Sequence, residues 1–320
     1  MLRKARIILS VVIFGLITFY FLDFAEILPN SFHRLAHIQF VPALMSLSFI
    51  ILAVLILITL LLGRIYCSTI CPMGIFQDIV TWISKKTAKK KKRFRYSPAR
   101  NILRWGVLGV TAIAFLFGFT VILGLLDPYS AFGRMTVNVF KPVYMLGNNL
   151  LESIFSSFNN YTFYQVDASL LSISSFVIGL LTFLVIGFLA WKYGRIWCNT
   201  ICPVGTLLGF LSRFSLFKVR IDTEKCNHCG LCATKCKASC INSPEQTIDY
   251  SRCVDCFDCL GECRQNALSY TTPLKTEKQV TDASKRRFLL AGLTTAAATP
   301  KVMAQAQNVA AAATGMKSDK

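Results

Sequence analysis

Thirteen cysteines occur in the chain, and they fall into two sets that differ in spacing. Nine of them lie between Cys226 and Cys263, separated mostly by two or three residues. Eight of these nine form two copies of one run, Cys-x-x-Cys-x-x-Cys-x-x-x-Cys. Thiols at such short intervals are typical of metal or cluster ligands on the reducing side of a membrane, not of a disulfide framework.

Two copies of this run are the pattern of a protein that binds two [4Fe–4S] clusters. Three thiolates on a tight loop can reach three irons of one cubane, and the fourth cysteine starts a segment that points toward the other cluster. The pattern therefore predicts two ligand sets: Cys226, Cys229, Cys232 and Cys263 for cluster 1, and Cys253, Cys256, Cys259 and Cys236 for cluster 2. Two four-cysteine zinc sites are the alternative.

Cys240 is left over from this pattern. It follows Cys236 after a further three-residue gap and could replace it as the ligand. Spacing favours Cys236, and Cys240 would then be a small buried apolar residue. The usual proline after the fourth cysteine is replaced by Lys237 and Arg264.

The remaining four cysteines lie in a duplicated Cys-x-x-x-Cys-Pro motif. Residues 63–74 read Gly-Arg-Ile-Tyr-Cys-Ser-Thr-Ile-Cys-Pro-Met-Gly, and residues 194–205 read Gly-Arg-Ile-Trp-Cys-Asn-Thr-Ile-Cys-Pro-Val-Gly. Residues i and i+4 share one face of a helix, so two pairs that meet across a pseudo-twofold axis would offer four thiolates. Four thiolates could bind a third iron–sulfur cluster. The cysteines concerned are Cys67, Cys71, Cys198 and Cys202. A redox-active dithiol, metal delivery and purely structural thiols are the alternatives.

Arg64 and Arg195 precede the two pairs. Each would stabilise thiolates or a reduced cluster, or would anchor the chain at a membrane edge.

Each motif follows a long apolar run, and 54% of the chain is hydrophobic against 16% charged. Runs near 20 residues are long enough to cross a bilayer. We expect four transmembrane helices, at about 7–24, 43–62, 102–126 and 171–191. They form two tandem hairpins, each ending in one Cys-x-x-x-Cys-Pro motif.

Basic residues set the expected orientation. Three Lys or Arg precede the first span and ten lie in the loop 64–100, whereas the loops 28–42 and 127–170 carry one and two. The positive-inside rule then places both termini, both motifs and the cysteine-rich region in the cytoplasm. The expected location of the chain is a bacterial inner membrane. Much of the net charge of +19 lies in that one loop, so a nucleic-acid partner is not expected.

The expected fold is a polytopic α-helical membrane protein with a small α+β ferredoxin-like domain that binds two [4Fe–4S] clusters. Residues 1–218 form the membrane domain, 219–270 the ferredoxin domain, and 271–320 a linker and tail without stable structure. No Gly-rich nucleotide loop is present, so neither flavin nor NAD is indicated.

A few other polar residues could serve chemistry. His33 and His37 could take protons from a quinol or bind a metal, or could be interfacial polar residues. Asp127, Tyr129 and Arg134 could line a quinone headgroup pocket at the outer end of span 3, although a turn after a helix also explains Asp-Pro.

The chain resembles the NapH-type membrane-bound ferredoxin-like quinol dehydrogenases and their relatives NosR and CcoG. The resemblance covers roughly residues 1–270 and rests on the four spans, the two Cys-x-x-x-Cys-Pro pairs and the two ferredoxin runs, which occur in the order typical of that family. The resemblance implies the electron-transfer, quinol-oxidising subunit of an oxidoreductase complex. Its substrate would be quinol or quinone from the membrane lipid, and its partner an iron–sulfur protein of the NapG type or a cytochrome. The alternative function is an assembly or regulatory factor that reduces metal or thiols during maturation of a respiratory enzyme.

The tail adds a second resemblance. Ser284-Lys285-Arg286-Arg287-Phe288-Leu289 is similar to a twin-arginine export signal, followed by a weakly apolar run and Ala304-Gln305-Ala306. It suggests a truncated fusion of NapH-type and NapG-type proteins.

Overall fold

The computed structural model describes residues 2–23, 38–88, 94–157, 164–166 and 172–272. Most of these residues are helical. The α-helices are α1 (Leu2–Leu22), α2 (Phe40–Met45), α3 (Phe49–Leu62), α4 (Ile65–Thr69), α5 (Pro72–Thr87), α6 (Asn101–Leu116), α7 (Thr120–Leu126), α8 (Pro128–Met135), α9 (Lys141–Ser156), α10 (Ile173–Tyr193), α11 (Ile196–Thr200), α12 (Pro203–Leu211) and α13 (Leu231–Lys235). A π-helix, Thr136–Phe140, joins α8 to α9.

Two of the described helices are long and apolar enough to cross a membrane, namely α1 and α10. The shorter apolar helices α3 and α6 correspond to the predicted spans 2 and 3. Both are interrupted relative to the prediction. Residues 46–48 separate α2 from α3, with Leu47 at φ 52°, and residues 117–119 separate α6 from α7, with Gly118 at φ 82°. A left-handed residue cannot continue a right-handed helix, so these two runs break.

The helices of the first repeat pack against those of the second. Helix α10, which leads into the second motif, packs against α5, which follows the first motif. In the same way α3, which leads into the first motif, packs against α12, which follows the second. This reciprocal packing brings the two Cys-x-x-x-Cys-Pro motifs together at one end of the helices.

The cysteine-rich region has little regular structure. Its strands are β1 (Lys218–Ile221), β2 (Ile241–Asn242), β3 (Thr247–Ile248) and β4 (Leu268–Thr271). Strand β1 pairs antiparallel with β4, with Val219 opposite Tyr270, and β2 pairs antiparallel with β3. The first and last strands of the region therefore close it into one small unit.

This unit is attached to the end of α3. The amides of Leu216 and Phe217 donate to the carbonyls of Leu60 and Leu61, each at 2.8 Å. The hydroxyl of Tyr270 donates to the carbonyl of Leu62 at 2.7 Å. The last carbonyls of a helix have no partner within it, so these three bonds satisfy α3 and fix the ferredoxin region to it. Residues Met1–Thr272 accordingly form one compact unit.

Several predictions fall outside the described residues. They concern His33, His37, residues 89–93 of the basic loop and the twin-arginine-like segment 284–306.

Candidate iron–sulfur and thiol sites

The cysteines of the two ferredoxin runs line two separate cavities, grouped as the spacing predicts. One cavity is lined by Cys226, Cys229, Cys232 and Cys263. The other is lined by Cys236, Cys253, Cys256 and Cys259, together with Cys240. Each fourth cysteine thus joins the three thiols of the other run. Among the described residues, no three His, Cys, Asp or Glu side chains are arranged to hold a single metal ion.

Equivalent residues shape the cysteine loops of both runs. His228 and Asp255, two residues after the first cysteine of each run, have φ values of 56° and 46°. Gly230 and Phe257, one residue after the second cysteine, have φ values of 70° and 60°. Left-handed residues turn the chain sharply, so the three thiols of each run can face one cavity.

Cys240 lies beside the residue that it could replace. Its Sγ is 3.4 Å from Sγ of Cys236, and both residues are buried. The second cavity therefore has five cysteines around it, and the choice between Cys236 and Cys240 remains a prediction from spacing.

The four cysteines of the duplicated motif are also buried and near one another. Cys67 and Cys198 lie on the one-turn helices α4 and α11, whereas Cys71 and Cys202 have extended backbones and precede Pro72 and Pro203, the first residues of α5 and α12. The expected arrangement of each pair on one helical face is therefore wrong. A proline cannot donate the amide that would continue the short helix, so each pair spans a break between two helices.

Each motif's arginine reaches across to the other motif. Nη1 of Arg195 donates to the carbonyl of Cys67 at 2.8 Å, and Nη2 of Arg64 lies 3.5 Å from the carbonyl of Cys198. Both arginines are 0% exposed. A side chain at Gly74 or Gly205 would collide with the same two carbonyls. The arginines thus join the two motifs, and the glycines leave room for their carbonyls.

Three donors point at the thiols themselves. Nε2 of Gln77 lies 3.2 Å from Sγ of Cys198, and the amide of Gly205 lies 3.2 Å from Sγ of Cys202. Nη2 of Arg64 lies 3.8 Å from Sγ of Cys67. Hydrogen bonds to sulfur are one means by which proteins stabilise thiolates and tune iron–sulfur clusters.

The two arginines differ in their counter-ions. Nε of Arg195 donates to Oδ1 of Asp78 at 2.8 Å, and Asp78 also pairs with Arg6 and Lys237. Burial alone would raise the pKa of Asp78, but these three positive charges outweigh it and hold that pKa well below its usual range. Asp78 is therefore ionised at neutral pH, and its ion pairs weaken only in acid below the ordinary carboxyl range.

Arg64 has no carboxylate against its guanidinium among the described residues. That group donates to Oδ1 of Asn199 at 3.1 Å and to the carbonyl of Ser251 at 3.0 Å, which are neutral acceptors. Asp255 accepts from the backbone amide of Arg64 at 2.8 Å rather than from its guanidinium, and Nη2 of Arg64 lies 3.8 Å from Sγ of Cys67.

Sequence reasoning missed Gln77 and Asp78. The sequence could have identified Asp78 as a functional candidate, because it is the only acidic residue between residues 27 and 126. Two residues of the suggested quinone pocket bind local backbone instead. Asp127 accepts from the amide of Ser130 at 2.7 Å as a helix cap, and Arg134 donates to the carbonyls of Gly124 and Leu125.

Comparisons with known proteins agree with this geometry. A family model described as a 4Fe-4S binding domain matches the chain twice, at residues 44–91 and 175–222, the segments that contain the two Cys-x-x-x-Cys-Pro motifs. No solved structure is significantly similar to the chain.

Three relatives illustrate the similarity. The uncharacterised protein MJ0749 of Methanocaldococcus jannaschii is 26% identical over 70% of this chain and 71% of its own length. The putative electron transport protein YccM of Escherichia coli is 24% identical over 78% of this chain and 61% of its own. The ferredoxin-type protein NapH of Haemophilus influenzae is 22% identical over 71% of this chain and 69% of its own. These findings support the resemblance to NapH-type ferredoxin-type proteins.

Proposed function

We propose that this chain is an integral membrane iron–sulfur protein that passes electrons between the quinone pool and a partner redox protein. Iron–sulfur electron transfer is consistent with the names of the relatives, which include an electron transport protein and ferredoxin-type proteins. Quinol oxidation, the inner membrane and a NapG-like or cytochrome partner are the finer parts of the proposal.

The observation that carries the proposal is the pair of cysteine-lined cavities fixed to the helices. Cys226, Cys229, Cys232 and Cys263 would hold cluster 1, and Cys253, Cys256, Cys259 and Cys236 would hold cluster 2. When bound, each [4Fe–4S] cluster supplies a one-electron redox centre. The chain holds these centres at a fixed position, because the backbone bonds at Leu60–Leu62 and the Tyr270 hydroxyl join the ferredoxin region to α3.

The thiols of the duplicated motif are proposed as ligands of a third cluster. Four buried cysteines come together there, three donors point at their sulfurs, and the guanidinium of Arg64 lacks a carboxylate in the described part of the chain. An anionic, thiolate-bound cluster would neutralise that charge. The three donors at the sulfurs favour cluster ligands over purely structural thiols.

Four transmembrane helices, with both termini and the ferredoxin region in the cytoplasm, remain part of the proposal. The apolar helices α1, α3, α6 and α10 and the basic loop between α5 and α6 support it. The two one-turn helices would then lie at the cytoplasmic end of the spans, next to the ferredoxin region.

Iron and acid-labile sulfide per chain test the cluster assignments. The full-length protein is purified without oxygen, beside a variant with Cys67→Ser and Cys198→Ser. We expect about twelve irons in the parent and about eight in the variant. About eight irons in both would overturn the third cluster, and the thiols would then be open to disulfide exchange.

Reduction by quinol tests the dehydrogenase role. A short-chain ubiquinol or menaquinol is added to the purified protein, and cluster reduction is followed by electron paramagnetic resonance with dithionite as the control. Reduction by dithionite but by neither quinol would overturn the quinol role and leave the cluster assignments intact.

A further inference from the structure

A cavity of about 580 Å³ lies between α1, α5 and the ferredoxin region. We propose that this cavity binds the quinol headgroup, an inference that rests on the proposed quinol oxidation. Its location is distinct from the Asp127 region suggested by the sequence, where polar groups bind neighbouring backbone. The chemistry of its walls and their closeness in sequence to the ligands of cluster 2 support this assignment.

The cavity has one apolar side and one charged side. Val11 and Phe14 of α1 and Ile79 and Trp82 of α5 line the apolar side. Val11 and Trp82 are each 61% exposed on the outer surface of the helices, so this side is continuous with the surface that would face lipid. A ligand with an apolar tail could therefore enter from the bilayer with its tail against α1 and α5.

The charged side is a chain of alternating charges. Lys237 Nζ lies 3.4 Å from Oδ2 of Asp78 and 2.9 Å from Oδ2 of Asp258, and Arg3 lies 3.0 Å from the other oxygen of Asp258. These groups offer donors to a quinone carbonyl and acceptors to a quinol hydroxyl. The charged side thus extends from the buried Asp78 to the exposed Arg3.

Arg6 adds a further positive charge to this wall. It lines the cavity and is 7% exposed, and its Nη1 donates to Oδ2 of Asp78 at 3.1 Å. The guanidinium on α1 is therefore held against the carboxylate on α5 at the charged side of the cavity.

The charged wall is covalently adjacent to cluster 2. Lys237 follows Cys236, and Asp258 precedes Cys259. Oxidation of one quinol to quinone releases two electrons and two protons. The two ferredoxin cysteine sets would hold clusters that accept one electron each, and the two protons pass to water at the exposed end of the charged side. Oxidation at this position requires no redox centre within the ~30 Å hydrocarbon layer.

The test fills the cavity with a tryptophan and compares it with a matched control. Val11→Trp narrows the cavity, whereas Val12→Trp changes the adjacent residue, which is 52% exposed but does not line it. Ile79→Trp narrows it from the opposite wall. Full-length proteins purified with their clusters are assayed for equilibrium binding of a short-chain quinone, and for cluster reduction by the corresponding quinol and by dithionite.

We expect Val11→Trp and Ile79→Trp to weaken quinone binding about tenfold or more while iron content and dithionite reduction stay at the parent level. Val12→Trp should bind as the parent does. Equal binding by all three variants would overturn the inference while leaving the proposed function intact. Failure of the parent to be reduced by quinol would instead overturn the proposed function.

An anionic phospholipid is the competing ligand, and lipid extraction from the purified proteins identifies it. A phospholipid retained by Val12→Trp and lost from Val11→Trp, with quinone binding unchanged in both, would overturn the inference.

Discussion

Asp78 of the first repeat and Gly209 of the second occupy equivalent positions, each eleven residues after the first cysteine of its motif. Asp78 supplies the carboxylate that pairs with Arg195. At Gly209 there is no side chain, and the carbonyl of Ser251 from the ferredoxin region approaches so closely that a Cβ would collide with it. That carbonyl accepts from both Arg64 and Arg104. One substitution between the repeats thus lets the ferredoxin region dock against the second half.

Gly209→Ala should loosen this docking. The new Cβ would meet the carbonyl of Ser251 and a guanidinium nitrogen of Arg104, and backbone cannot move as a flexible side chain can. We expect faster hydrogen exchange and faster proteolysis within residues 219–270. Gly187→Ala is the control, because a Cβ at Gly187 has no atom within 4 Å among the described residues. Equal protection in the two variants would contradict the role given to Gly209.

Asp78→Asn should strongly destabilise the helical part of the chain. It removes the carboxylate shared by Arg195, Arg6 and Lys237 and leaves the guanidinium of Arg195 buried without an opposite charge. Breaking a buried pair in this way costs about 3–5 kcal/mol. Thermal unfolding in detergent measures the loss. Asp222→Asn, which removes only the surface pair with Lys225, should leave the midpoint near that of the parent.

Gly74→Ala and Gly205→Ala should disturb the proposed third cluster. In each variant the added Cβ would collide with the carbonyl of Cys67 or Cys198, which the opposite arginine approaches. We expect iron to fall by about four per chain while the ferredoxin clusters remain. The same substitution at Gly106 meets no described atom within 4 Å and should keep the parent's iron content. If all three variants kept the iron content of the parent, the close approach at Gly74 and Gly205 would tolerate an added Cβ.

Cys236→Ser and Cys240→Ser separate the two candidate ligands of cluster 2. We expect Cys236→Ser to lose or alter cluster 2, with up to about four irons removed, and Cys240→Ser to keep the parent's iron content and resonance spectrum. Because the two sulfurs are 3.4 Å apart, Cys240 is positioned to replace Cys236 in its absence. A retained cluster with a shifted spectrum in Cys236→Ser would indicate such replacement, whereas cluster loss in Cys240→Ser alone would reverse the assignment.

The grouping of cysteines in the ferredoxin region was predictable from sequence, because the ligand order in such runs follows from short loops. Each loop spans only two residues between thiols, so its conformation is set locally by His228, Gly230, Asp255 and Phe257. The outcome for the apolar helices was different. The apolar composition located them, but the breaks at Leu47 and Gly118 depend on backbone turns that apolar patterning does not encode.

The sequence by itself determined which cysteines form sets, that the Cys-x-x-x-Cys-Pro motif is duplicated and which runs are apolar enough for membrane helices. These properties follow from spacing and composition over a few residues. Only the tertiary structure decided that each arginine binds the opposite motif, that Asp78 joins α1, α5 and the ferredoxin region, and that a cavity remains between them. Those contacts connect residues more than sixty positions apart, so they depend on how the two repeats and the ferredoxin region pack together.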